Sequence, residues 1–138
     1  MRPGPPRGAT ATLEVTVTPD MAARVGGRQI HAVYGTLPLV AHVEQVCREL
    51  LEPHLEPGEE GIGSRIELVH RAPVPVGETV TLVATVASVT QRKLVCEVLV
   101  RHAGLIVARG SFEQSLIDVE EFEGQVEARR TVLPQASS

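Results

Sequence analysis

The sequence has no tryptophan, one tyrosine and two phenylalanines, so it offers no platform on which bases could stack. Its core must be built from Val, Leu, Ile and Ala. Basic residues are also few. The 13 Lys and Arg stand against 17 Asp and Glu for a formal net charge of -4, which gives no field to attract nucleic acid and no acidic tail. Nucleic acid is not an expected partner. No apolar run reaches the roughly 18 residues that span a bilayer, and the opening MRPGPPRGATA lacks the apolar stretch of a signal peptide. The expectation is a cytoplasmic protein without a membrane segment. Cys47 and Cys96 are the only cysteines, and neither sits in a Cys-x-x-Cys or Cys/His metal spacing. Both read as buried packing residues, and neither a metal nor a cofactor is expected.

What is present suits one domain. Residues 1–9 are rich in Pro and Gly and read as a disordered arm, 10–128 as a single domain, and 129–138 as a flexible tail. Thr10 to Thr18 alternates around Leu13, Val15 and Val17, the period of a half-buried strand. After Pro19, MAARV reads as a short helical turn, and Gly26-Gly27 followed by 28–35 as a mobile linker or lid. Thr36 to Glu52, TLPLVAHVEQVCRELLE, is the long helix, with Thr36 as N-cap and Pro38 in the first turn. Its apolar stripe is Val40, Val43, Cys47 and Leu51, widened by Leu37 and Ala41. Further strands are expected at 64–72, 78–90, 92–102 and 105–117, the first preceded by a glycine turn, GIGS. Asp118 then caps a short helix, VEEFEGQVEARR. A strand, a long apolar helix and a run of antiparallel strands make an α+β domain, with the helix wrapped by a curved sheet of about five strands, the hotdog arrangement. One helix leaves such a sheet with an open edge, so a homodimer or higher homo-oligomer is expected.

Glu44 falls inside the helix stripe, where a carboxylate needs a partner. Alternation over 64–72 puts Ser64, Ile66, Leu68 and His70 on one face, so His70 faces the helix. Thr36 lies two helical turns from Glu44, roughly 80° round. A carboxylate beside an imidazole would raise the imidazole pKa, and a hydroxyl in reach could attack or orient water. The Gly63 N–H could polarise a carbonyl. Arg65, Arg71, Arg92 and Lys93 are the available cations for phosphates. Each residue also has an ordinary reading: Thr36 as a cap, Glu44 and His70 as satisfied buried groups, the glycines as a strand entry, the cations as a solvated face.

Together YGTLPLVAHVEQVC, LEPHLEPGEEGIGS and IELVHRAPVPVGETV resemble the fluoroacetyl-CoA thioesterase family of hotdog hydrolases, over about Thr10 to Val126. The family pattern is a Thr, a Glu eight residues later and a His twenty-six beyond, and Thr36, Glu44 and His70 match it without a gap. The resemblance implies hydrolysis of a short acyl-CoA by that trio, with Gly63 and Ser64 at the acyl group, coenzyme A as part of the substrate, and entry at a dimer interface. Two positions depart from the family. Its lid carries gating phenylalanines where this chain has GGRQIHAVY, with Ile30 and Tyr34 as the only bulky apolar side chains, and Gln114 stands where it has an arginine facing the site. Fluoroacetate as substrate is not implied. A non-catalytic acyl-CoA-binding dimer remains an alternative. So does a hotdog hydratase, ranked last because neither Asp20 nor Asp118 has a His five residues on.

Overall fold

Alternating apolar side chains lay down the sheet. In the computed structural model, which describes residues 1–131, β1 (Thr10–Thr16), β5 (Thr79–Val89), β6 (Lys93–His102), β7 (Leu105–Asp118) and β4 (Glu59–His70) form one antiparallel sheet in the order β1-β5-β6-β7-β4. Val80, Leu82, Ala84 and Val86 from β5 and Leu94, Cys96, Val98 and Val100 from β6 are all buried. They meet helix α1 (Thr36–Leu51) through Leu39, Val43, Val46, Cys47, Leu50 and Leu51. Burying each of the larger side chains contributes roughly 1.5–3 kcal/mol. A short helix, α2 (Val119–Arg129), closes the described chain, and Asp118 caps it as expected, accepting from the Glu121 N–H at 2.9 Å.

Several expectations change. Val43, Cys47 and Leu51 are buried as expected, but the buried helix face also takes in Leu39, Val46 and Leu50 in place of Val40, which turns Leu37, Ala41 and Glu44 out to solvent. The N-cap is Gly35, and Thr36 is the first helical residue, its side chain free for other bonds. The helix ends at Leu51 in a 3-10 turn, Glu52–His54. The stretch read as a helical turn and linker is a 3-10 turn, Pro19–Met21, and a hairpin of β2 (Ala22–Val25) and β3 (Arg28–Tyr34) folded at Gly26-Gly27. Both glycines have positive φ, 60° and 78°, the backbone a tight hairpin turn requires. Residues 1–9 are placed on the body instead of loose: Met1 is buried, its ammonium lies 2.5 Å from Glu59, and the Gly8 N–H donates to the Val86 carbonyl at 2.9 Å. Of the tail, residues 132–138 lie outside the described residues.

The change that matters most for function is in β4. It starts at Glu59, so the expected glycine turn is already strand. Gly63 opposes Gln114 while Arg65 opposes Glu113, leaving Ser64 as the extra residue of a β-bulge. His70 lies seven positions after Gly63, and strict alternation would put them on opposite faces. The bulge inverts the alternation once, so both face α1.

Candidate active site

Gly35 positions the start of the helix. A side chain there would come within 3.1 Å of the Ala23 backbone and 3.3 Å of the Met21 carbonyl, and the Gly35 N–H donates to that carbonyl at 2.9 Å. This close approach of hairpin and helix delivers Thr36 to the end of β4. The Thr36 Oγ1 lies 2.9 Å from Nδ1 of His70. The Nε2 of His70 is buried with no hydrogen-bond partner among the described residues. Burial lowers the His70 pKa, opposed in part by a backbone bond at Ala72. The expected rise beside a carboxylate is thus corrected: the neighbour of His70 is a hydroxyl, and desolvation favours the neutral ring.

Glu44 is found elsewhere on the seam. It is exposed at the margin of the helix face rather than enclosed by apolar residues, because the buried stripe is rotated away from it. Its carboxylate reaches over Gly63, with Oε2 3.3 Å from where a Gly63 side chain would begin, while the Phe112 ring lies 2.9 Å from the same point. Glycine is therefore required where Glu44, Phe112 and β4 converge. Two pairs result, Thr36 with His70 and Glu44 with Gly63. Among the described residues no hydrogen bond joins Glu44 to Thr36 or His70.

The other expected site residues divide. Ser64, at the bulge, turns to the outer face, where its hydroxyl bonds the Glu113 carboxylate at 2.9 Å and the Ser115 hydroxyl at 2.8 Å; it does not share the face of Ile66. Gln114 is 4% exposed and donates to the Cys47 carbonyl at 3.1 Å, so its amide nitrogen serves the helix backbone. Ile30 is exposed on β3, and Tyr34 is buried against His70. Arg65 is paired with Glu67 at 2.9 Å and Lys93 with Glu113 at 3.4 Å. Arg92 lines a separate cleft of about 440 Å³ with Met1, Glu56 and Glu121. Arg71 follows His70 directly, is exposed, and forms no salt bridge among the described residues. It is the cation adjacent to the seam. The seam itself runs along β4, an edge strand of the sheet, with Leu37, 79% exposed, and Ile66, 40% exposed, beside it.

Comparison with known proteins fits this geometry. A family model described as fluoroacetyl-CoA-specific thioesterase matches residues 17–120. The chain belongs to that family. Within the fluoroacetyl-CoA-specific thioesterase family, a fluoroacetyl-CoA thioesterase of Streptantibioticus cattleyicolor is 34% identical over 94 residues, 68% of each chain. A solved fluoroacetyl-CoA thioesterase is 28% identical with a TM-score of 0.84, covering 93% of this chain and 99% of its own. A Thermus thermophilus protein described as a thioesterase superfamily member is 32% identical with a TM-score of 0.86, covering 93% and 94%. The fold of this family member is the expected α+β hotdog, helix on five-stranded antiparallel sheet. One residue at the site went unread in the sequence. His42 places Nδ1 2.5 Å from the Tyr34 hydroxyl. The signal was a polar residue two positions before Glu44 in an otherwise apolar turn, AHVE.

Proposed function

We propose that this chain hydrolyses a short acyl-CoA thioester on the α1–β4 seam, with Thr36, Glu44 and His70 as the reacting groups. That it is an acyl-CoA thioester hydrolase follows from its family; the roles of the three residues are our reading. The observation that carries it is the Thr36–His70 pair, 2.9 Å apart, on the same face as a carboxylate poised over Gly63. With the thioester carbonyl over Gly63, Glu44 takes a proton from a water, and the water oxygen adds to the carbonyl carbon. The C–S bond then breaks, and Glu44 gives its proton to the departing thiolate of coenzyme A, so the carboxylate ends as it began. The Thr36 hydroxyl, donating to Nδ1 of the neutral His70 ring, turns its oxygen to accept from the attacking water and orients it. The products are the free acid and coenzyme A. The steps use side chains, backbone and water alone.

Phe112 against Gly63 leaves little depth beyond the carbonyl, which favours a short acyl group. Ile30 and Arg71 flank the entrance, Arg71 as the contact for a coenzyme A phosphate. A second copy of the chain, paired along β4, would cover the seam and the exposed Leu37 and Ile66. Free, buried Cys47 and Cys96 suit the reducing cytoplasm. The test supplies short acyl-CoAs and follows free thiol. Thr36→Ala, Glu44→Gln and His70→Ala should each lower kcat about 100-fold or more. Wild-type rates in all three would sink the assignment. Tight binding with no thiol release by the unaltered protein would mark a binding module instead.

A further inference from the structure

Among the described residues His70 makes one side-chain hydrogen bond, to Thr36, and its other ring nitrogen is buried without a partner. Packing must therefore add to the Thr36 bond and the backbone contact at Ala72 in holding its ring. Tyr34 stands against it edge-on, with ring centroids 6.5 Å apart and planes at 73°, within the range where the positive ring edge meets the negative face of its neighbour. Tyr34 is 1% exposed, and its backbone N–H is held by the Val74 carbonyl at 2.8 Å. Its hydroxyl, the one polar atom of this wedge, meets Nδ1 of His42. The two rings lie 5.8 Å apart. Burial raises the pKa of Tyr34 and lowers that of His42. The phenol therefore stays protonated and the imidazole stays neutral, so the phenol donates and Nδ1 accepts, which fixes His42 as the Nε2–H tautomer.

We propose that Tyr34 and His42 are a positioning pair for His70. His42 anchors the Tyr34 hydroxyl from α1, and the Tyr34 ring holds the His70 imidazole in the rotamer that carries Nδ1 to Thr36. The chain of contact runs from the middle of α1, through the end of β3, to the end of β4, so the three elements that meet at the seam are locked at one point. A purely apolar pair at these positions would fill the same space without fixing the rotation of the Tyr34 ring. Neither residue touches the thioester. The kinetic arm of the test rests on the thioesterase reading, whereas the spectroscopic arm does not.

The experiment follows the His70 ring resonance by NMR across pH, and kcat and KM on the same samples, in the unaltered protein and in His42→Leu, His42→Gln, Tyr34→Phe and Tyr34→Leu. The groups facing His70 are Thr36 from α1, Tyr34 from β3 and the Ala72 backbone beyond β4. Loosening the ring admits water, so its titration midpoint should rise towards the ordinary value of about 6.5 in His42→Leu and Tyr34→Leu. In these variants kcat should fall roughly 10-fold, as expected for a small misplacement of a reacting group, with KM within about two-fold. Tyr34→Phe should fall between these and the unaltered protein. His42→Gln, which keeps an acceptor, should restore most of kcat. Thermal melts identify any variant that fails to fold, and if Tyr34→Leu fails, the partly exposed His42→Leu carries the test. An unchanged His70 titration in a folded His42→Leu, or a His42→Gln as impaired as His42→Leu, would overturn the proposal. If the unaltered protein released no thiol, the thioesterase reading would fail, while the titration would still decide whether the pair holds His70.

Discussion

Glu44 and His70 were both expected to be enclosed in an apolar seam, and they part at this point. Burial lowers the pKa of His70, and of His42. The sign of the consequence is fixed by linkage: an imidazole depressed in the folded state binds fewer protons there than in the unfolded chain. Its stabilising contribution is full above the ordinary value of about 6.5 and is lost as pH falls through the folded values. Melting temperature should therefore drop between neutral pH and pH about 5, and the drop should be smaller in His42→Leu, as calorimetry would show. At Gly63 the limit is space. Adding a methyl there meets Phe112 at 2.9 Å and the Glu44 carboxylate at 3.3 Å, so Gly63→Ala should cost kcat/KM at least 10-fold, with a loss of stability of about 1–3 kcal/mol in urea titration. Gln114 has a structural role. Removing it leaves the Cys47 carbonyl without its side-chain donor, so Gln114→Leu should cost about 1–2 kcal/mol of stability and leave KM unchanged. An amide contacting substrate would give the opposite split. That Thr36 and His70 meet was legible in the sequence, from the start of the helix and the alternation of the strand together with the family resemblance. The roles of Tyr34 and Gln114 were not, since their partners, His42 and the Cys47 carbonyl, are brought to them by tertiary packing.

At the scale of elements, the long strands and the helix were readable from periodicity, which burial of one face imposes directly on sequence. Two features escaped it. The β2–β3 hairpin is short and its outer residues, Val25 and Ile30, are exposed, so no alternation marks it. The bulge at Ser64 is hidden for a different reason, because one extra residue in a strand changes no composition, only the parity of the residues beyond it. That parity can be tested. Ser64→Ala keeps the extra residue and should retain activity within about two-fold, since the hydroxyl it loses faces Glu113 and Ser115 on the outer face. Deleting Ser64 should abolish activity by sending either Gly63 or His70 to the wrong side of the sheet, with circular dichroism reporting whether the strands persist. Equal loss in both variants would show that the hydroxyl, and not the register, is what matters.

Taken whole, the molecule presents Thr36, Glu44 and His70 along an edge strand, β4, with Leu37 and Ile66 exposed beside them. The homodimer that would cover them should appear in sedimentation as a species of twice the chain mass of 14.8 kDa, and Ile66→Lys should weaken it and reduce activity together. A monomer that turned over substrate at the full rate would show that the site needs no partner. The family, and with it the thioester chemistry, was legible from three sequence runs, whereas the way the site is divided into two pairs emerged only from the rotation of α1 and the shift in β4. The central claim is that Thr36 and His70 act as one unit. The direct measurement is kcat for thiol release from a short acyl-CoA by Thr36→Ala, His70→Ala and the double variant. Each single change should cost about 100-fold or more, and the double should be no slower than the slower single, because removing either partner already disables the pair. Losses that multiply in the double variant, or single variants that turn over at the unaltered rate, would contradict it.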